Sequence, residues 1–207
     1  MSTDQFSVLR DLDRAAVLEA ARLAGRIQPD DLGWPTPCDG WDLAALLAHL
    51  SGQHRGFAAA ARGRGGDLAV WRSREPAADP VADFRSATEE VLAAFSAPGV
   101  PGRRFQLPEI STSIDFPAAQ AVRFHLVDYV VHGWDVAKTL GLTVDLDPAL
   151  VDTALRVSQA VPGGAARLEP GAAFGPMVDW PGGSGLDRIV ALLGRSPGWI
   201  PRRQSAE

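Results

Sequence analysis

The sequence is short of the residues from which disulfide and cysteine–zinc scaffolds are built. One cysteine, Cys38, stands among 207 residues. A single thiol excludes an intramolecular disulfide framework and any zinc site made from several cysteines. Only four histidines are present, so each can be weighed by itself. Lysine is almost missing: Lys138 stands alone beside 19 arginines. Together with 33 alanines, this matches the coding bias of a GC-rich genome, so arginine is no default sign of phosphate recognition here. Positive charge is not in excess either. The formal net charge is −5, against a general binder of nucleic acid or anionic membrane, since both need a concentrated positive field. No run approaches 18 apolar residues, so no membrane span is expected. Residues 1–5 lack the basic stretch and apolar core of a secretory leader. The expectation is a cytoplasmic protein acting on a small molecule, as a monomer or a homodimer.

What is present is apolar and periodic. Hydrophobic residues make up 46% of the chain, enough for a core and too many for a disordered chain. At roughly 150 residues per domain, the length suggests one large domain, or one domain with a short appendage. Leu9, Leu12, Ala16, Ala20, Leu23 and Ile27 recur at helical spacing over about residues 6–27, with Asp11, Arg14 and Arg22 opposite. A Pro/Gly/Asp-rich connection follows over residues 28–40 and cannot be helical throughout. A second helix is expected over about 42–62, with Asp42 at its N-terminus and Leu43, Leu46, Leu47, Leu50 and Phe57 inward. A third is expected over 80–95, and a fourth over about 116–140, stopped by Gly141. Asp147-Pro148 opens a fifth helix to about Ala160, and a short one over 186–193 comes near the end. A brief extended piece is expected at 105–107, and a strand within the Gly/Pro-rich loop at 174–180. The fold class expected is all-α: an antiparallel four-helix bundle over residues 1–160, with a loop-rich C-terminal extension, 161–207, packed on it.

The chemistry lies in the fourth helix. At about 100° per residue, with His125 at zero, Asp128 falls at roughly 300° and His132 at roughly 340°. All three project from one face. Between Phe124 and Trp134 every other residue is apolar, aromatic or glycine, the pattern of a helix buried nearly all round. Burying a carboxylate without a partner is costly. A metal ion satisfies carboxylate and imidazoles together; an Asp–His hydrogen bond inside the bundle does so without metal. Neutral imidazole and carboxylate suit zinc, and also iron, manganese or nickel. A bundle site draws ligands from facing helices. On the second helix the wheel slightly favours His54 over His49 as the inward residue.

Two motifs resemble a known family. Thr36-Pro37-Cys38-Asp39-Gly40-Trp41-Asp42, followed by Leu46-Leu47-Ala48-His49-Leu50, is similar to the start of the DinB-like, mycothiol-dependent maleylpyruvate isomerase N-terminal family. Val131-His132-Gly133-Trp134-Asp135-Val136-Ala137, with Thr139 and Gly141, resembles its second motif. The stretch from Phe174-Gly175-Pro176 to Gly194-Arg195-Ser196-Pro197 looks like the ending of its short actinobacterial, metal-binding branch. The resemblance implies a DinB-type four-helix bundle holding a divalent metal, most often zinc. Its ligand pattern maps onto His49, Asp128 and His132, so it selects His49 against the wheel. The isomerase carries Glu where this chain has Asp128, one methylene shorter. Length leaves little room for the extra domain of the longer isomerase. His125 lies outside the family's triad but close enough on the wheel to be a fourth ligand or to hydrogen-bond one.

Two histidines and one carboxylate leave open coordination positions, a mark of catalysis or substrate binding. In the family, that position is thought to receive the thiol of mycothiol. A divalent ion favours the thiolate near neutral pH. A thiolate can add reversibly to an activated double bond, allowing cis–trans isomerisation, or displace a leaving group in S-transfer. The implied function is therefore a metal-dependent, mycothiol-using isomerase or transferase. The alternatives are a non-catalytic, metal-dependent small-molecule-binding or stress-related protein, and a bundle with a vestigial site. Trp41, Trp134, Asp135 and Arg55 are candidates for the thiol or substrate pocket, each with a plainer role: Trp packing at helix ends, an Asp135–Arg ion pair, and a solvated arginine face including Arg62 and Arg64. Cys38 reads more readily as a partly buried structural thiol than as a reactive one.

Overall fold

Capping side chains set where the helices begin. The computed structural model describes residues 2–72, 75–169 and 172–201, with α1 (Thr3–Ala24), α2 (Leu43–Ala61), α3 (Pro80–Phe95), α4 (Ala118–Leu140), α5 (Pro148–Ala160) and α6 (Gly185–Leu192). Ser2 and Gln5 form a reciprocal capping box that starts α1 ahead of its first apolar residue. Asp42 caps α2 as expected, its carboxylate accepting from the Ala45 N–H at 2.8 Å. Asp79, Asp147 and Ser184 do the same for α3, α5 and α6. Gly141, at φ 68°, ends α4 in the left-handed conformation that glycine adopts without strain.

The all-α class is as expected, but the helices do not simply alternate in direction. α1 packs chiefly on α4, and α2 on α3, while α1/α3 and α2/α4 contacts close the ring. Asp13 meets His125, and Ala20 lies against Gly133, so α1 and α4 run parallel. Arg55 pairs with Asp83 and Arg62 with Glu90, so α2 and α3 also run parallel. His54 meets His125 and Tyr129 meets Leu50, so α2 runs antiparallel to α4. The 19-residue α2 is about 28 Å long, and residues 62–79 are long enough to return along it before α3 starts.

The extended piece near Phe105 forms a two-residue strand, β1 (Arg104–Phe105), antiparallel to β2 (Phe116–Pro117). The strand expected at 174–180 does not form. Pro176 has no N–H to donate, and the Val178 N–H bonds the Ala191 carbonyl at the end of α6 instead of a neighbouring strand. α5 lies on α4 and α1, and α6 on α5. No helix of the described residues is long and apolar enough to cross a membrane.

One polar chain runs through the apolar core. The Asp13 carboxylate accepts from His125 Nδ1 at 2.7 Å, and His125 Nε2 lies 3.1 Å from His54 Nδ1. The His54 ring stacks on Tyr129 at 3.9 Å and on Phe84 at 5.3 Å. The Tyr129 hydroxyl donates to the Leu50 carbonyl at 2.6 Å. All of these side chains are fully buried. The chain therefore ties α1, α4 and α2 together by hydrogen bonds whose partners cannot be replaced by water.

Two outcomes test this packing. A Cβ on Gly56 would lie 2.3 Å from the Trp71 ring, whose indole N–H is held by the Gly65 carbonyl at 2.7 Å. Gly56→Ala should therefore lose about 1–2 kcal/mol in urea unfolding, because overpacking outweighs the better helix propensity; a stabilised variant would contradict this. His54 is pushed well below the ordinary histidine range by burial, and further by His125 and Arg55. The unfolded chain takes up a proton near pH 6.5 that the folded chain refuses, so stability present above that pH falls as pH drops below it. Asp13, raised by burial, has the opposite sign. The stability of the natural protein relative to His54→Asn should fall by about 1 kcal/mol per pH unit below pH 6.5. Parallel pH profiles would show that His54 does not titrate this way.

Candidate metal centre

The antiparallel register of α2 and α4 builds two polar layers. His54 is level with His125, so His49, five residues earlier, comes level with the Asp128–His132 turn. One ligand-type atom from each of His49, Asp128 and His132 lies within 4.8 Å of the others. His132 Nε2 is 3.5 Å from Asp128 Oδ1, and the His49 and His132 rings are 5.5 Å apart at 70°. Asp128 Oδ2 is buried with no hydrogen-bond partner among the described residues. Burial, reinforced by His132, pushes His49 down to about 4, so its imidazole is neutral at pH 7 and carries a lone pair.

The other edge of His132 faces a second cluster. Its Nδ1–H donates to Asp135 Oδ2 at 2.9 Å, and the same oxygen accepts from Arg195 Nη2 at 3.2 Å. Arg195 Nη2 is also 3.5 Å from Cys38 Sγ. Cys38, His132 and Asp135 are close enough to count as a second ligand set. Charge separates the two sets. The second already contains a cation, the Arg195 guanidinium, which touches both the thiol and the carboxylate. In the first, the only ion-pair partner of Asp128 among the described residues is His132. Electrostatics therefore disfavours a further cation on the Cys38 side of His132, beside the Arg195 guanidinium.

The residues singled out from sequence divide accordingly. Trp41 lies against His49 at 4.5 Å and near His132 at 6.4 Å. It also walls a cavity of about 690 Å³ between the 33–42 loop and Trp199 and Ile200. Asp135 makes the arginine ion pair weighed for it, with Arg195, and accepts a hydrogen bond from His132. Trp134 does not join the cluster: two residues after His132, it points roughly 200° around the helix, and Lys138 sits 5.4 Å over its ring. Arg55 does not join it either. It pairs with Asp83 at 2.7 Å in a separate cleft of about 230 Å³ between α2 and α3. His125 has both ring nitrogens engaged by Asp13 and His54, leaving neither for an ion held at His132. His54, which the wheel favoured, is the more buried histidine of α2, but it belongs to that lower layer.

Two participants escaped the sequence. Asp13 carried a usable signal: it sits four residues after Leu9 and three before Ala16, a carboxylate on the apolar stripe of α1. Arg195 lies in the ending that resembles the family branch, but nothing there pointed to Asp135, because the contact spans 60 residues and depends on how the C-terminal segment folds back.

Comparison with known proteins places these residues in context. A family model described as the mycothiol maleylpyruvate isomerase N-terminal domain matches residues 14–137. The matched stretch contains His49, Asp128 and His132 and stops before Arg195. Two curated relatives, uncharacterized proteins from two strains of Mycobacterium tuberculosis, are each 30% identical over 182 residues, covering 85% of this chain and 91% of the relative. The crystal structure of the mycothiol-dependent maleylpyruvate isomerase aligns with a TM-score of 0.55 at 14% identity, over 79% of this chain and 77% of that one. A histidine-to-alanine mutant of that enzyme aligns with a TM-score of 0.57 at 12% identity over the same shares. At such identities the likeness is one of fold.

Cys38 offers a check on the electrostatics of the second cluster. Burial pushes its thiol up to about 11, against the pull of Arg195. In chelator-treated protein at about pH 8, Cys38 should react with a thiol reagent roughly 100-fold more slowly than free cysteine, because its thiolate is scarce. A rate close to that of free cysteine would mean that the guanidinium outweighs burial.

Proposed function

The chain belongs to the mycothiol maleylpyruvate isomerase N-terminal domain family, and on that premise we propose that it is a divalent-metal-dependent enzyme using mycothiol. The reaction class is thiol-assisted isomerisation of a small electrophile, or S-transfer to one. The observation that carries the metal assignment is the buried, unpartnered Asp128 Oδ2 beside two imidazoles, with no arginine or lysine ion-paired to that carboxylate among the described residues. Two imidazoles and a carboxylate form a donor set for zinc first, and for nickel, iron or manganese as well.

His49 and His132 present ring nitrogens, and Asp128 brings the negative charge that a divalent ion needs. A bound divalent ion supplies the positive charge that lowers the pKa of a thiol brought beside it. Asp135 holds the proton of His132 on Nδ1, which leaves Nε2 as the lone pair on the Asp128 side. Trp41 packs against His49 and also lines the hollow of about 690 Å³, which is the candidate place for a small electrophile next to the site.

Two measurements test this assignment together. Protein purified without chelator should contain one equivalent of divalent metal per chain. His49→Ala should lose it, and His54→Ala, if folded, should keep it. Metal lost only from His54→Ala would overturn the ligand set. Metal-loaded protein should consume mycothiol with at least one member of a panel of maleyl compounds, epoxides and bimanes. Stoichiometric metal with no turnover across that panel would favour a binding role over an enzyme.

A further inference from the structure

His132 is held from behind by a residue far outside the stretch that the family model matches, 14–137. Asp135 has no exposed side-chain surface, and a carboxylate so placed needs donors. Its Oδ2 receives two, His132 Nδ1–H at 2.9 Å and Arg195 Nη2–H at 3.2 Å, while Oδ1 has no partner among the described residues. The orientation of the carboxylate is therefore decided at one oxygen by two donors. Arg195 is itself fixed. Its backbone N–H bonds the Val190 carbonyl at the end of α6, at 2.9 Å, and its Nη1 donates to the Leu193 carbonyl at 3.1 Å. Gly194, at φ 85°, makes the turn that delivers it; a Cβ there would be strained and would meet the Gly175 backbone at 2.9 Å.

We infer that Arg195 is a positioning residue for His132: acting through Asp135, it sets the tautomer and ring plane that present Nε2 to the space shared with His49 and Asp128. The inference rests on the metal site proposed above and extends it, because it gives the C-terminal segment a part in a site otherwise built from α2 and α4. Arg195 supplies the counter-charge for the buried carboxylate, and the carboxylate in turn accepts the Nδ1 proton of the imidazole. Groups that hydrogen-bond a ligating histidine in this way change metal affinity by about 10–100-fold when removed.

The test uses the full chain and a thermodynamic cycle. In metal-free protein, long-range ¹H–¹⁵N spectra of the His132 ring should show the Nδ1–H tautomer, and Arg195→Met should shift it toward a mixture. Zinc affinity, measured by competition with a chromophoric chelator, should fall about tenfold in Arg195→Met and at least tenfold in Asp135→Asn. The double variant should be no weaker than Asp135→Asn alone, since Arg195 acts only through that carboxylate. Arg195→Lys, which keeps a cation, should come within about threefold of the natural protein. If Arg195→Met loses its near-ultraviolet circular dichroism, Arg195→Gln takes its place in the cycle, with the same expected losses.

Three results would overturn the inference: an unchanged His132 tautomer, independent losses that multiply in the double variant, or an Arg195→Lys protein as weak as Arg195→Met. Each would make Arg195 an anchor of the C-terminal segment only. The metal-free spectra separate this inference from the one beneath it. A tautomer shift in a protein that binds no zinc would leave the positioning role standing and remove the metal site.

Discussion

A helix buried nearly all round carries two histidines and two aspartates toward its neighbours, and three of the four are closed off from water. This is the constraint on α4, where His125, His132 and Asp135 are buried, while Asp128 buries Oδ2 and keeps 20% of its side chain exposed. Each needs a partner from elsewhere, and the rest of the fold is arranged to provide one. α1 brings Asp13 to His125. α2 brings His54 to the same layer and His49 to the next. The segment after α6 brings Arg195 to Asp135. Helix directions follow from the same need, since only an antiparallel α2 can set His54 and His49 against successive turns of α4 in that order.

The two layers differ in what completes them. In the lower one, Asp13 Oδ2 and His54 Nε2 also lack hydrogen-bond partners among the described residues, but every side chain is fully buried and the Tyr129 and Phe84 rings close the space beside His54. In the upper one, two imidazoles and a carboxylate converge with an oxygen left over, and a cavity opens beyond Trp41. A buried polar network with no opening beside it specifies a core. One that leaves an acceptor unpaired beside a cavity is suited to a ligand. The Arg195 guanidinium sharpens the contrast, because it occupies the Cys38 side of His132 and leaves the His49 side for an external cation.

Local chemistry was legible in the sequence to the extent that it was local. The limits of α3, the capping role of Asp42 and the stop at Gly141 all follow from residue type and spacing. So does the polar face of α4. What spacing could not show was partnership along the axis. A helical wheel ranks His54 above His49 for burial, and rightly so, yet it is blind to height, and height decides which layer each joins. The motif resemblance, not the wheel, pointed to His49. Helix direction was hidden for a similar reason: periodicity marks the buried face of α1 but not that the face meets a parallel α4. The segment 174–180 has apolar residues enough for a strand but no partner strand, and Pro176 removes a donor. Arg195, in a turn rich in Gly, Ser and Pro, looked like any other arginine of an arginine-biased chain.

The central claim is that one cation belongs between α2 and α4, on the side of His132 away from Arg195. Anomalous diffraction at the zinc absorption edge, on crystals of the protein grown with equimolar zinc, tests it most directly. The account predicts a single strong peak surrounded by His49, Asp128 and His132. A peak among Cys38, His132 and Asp135, or none within reach of His132, would contradict it.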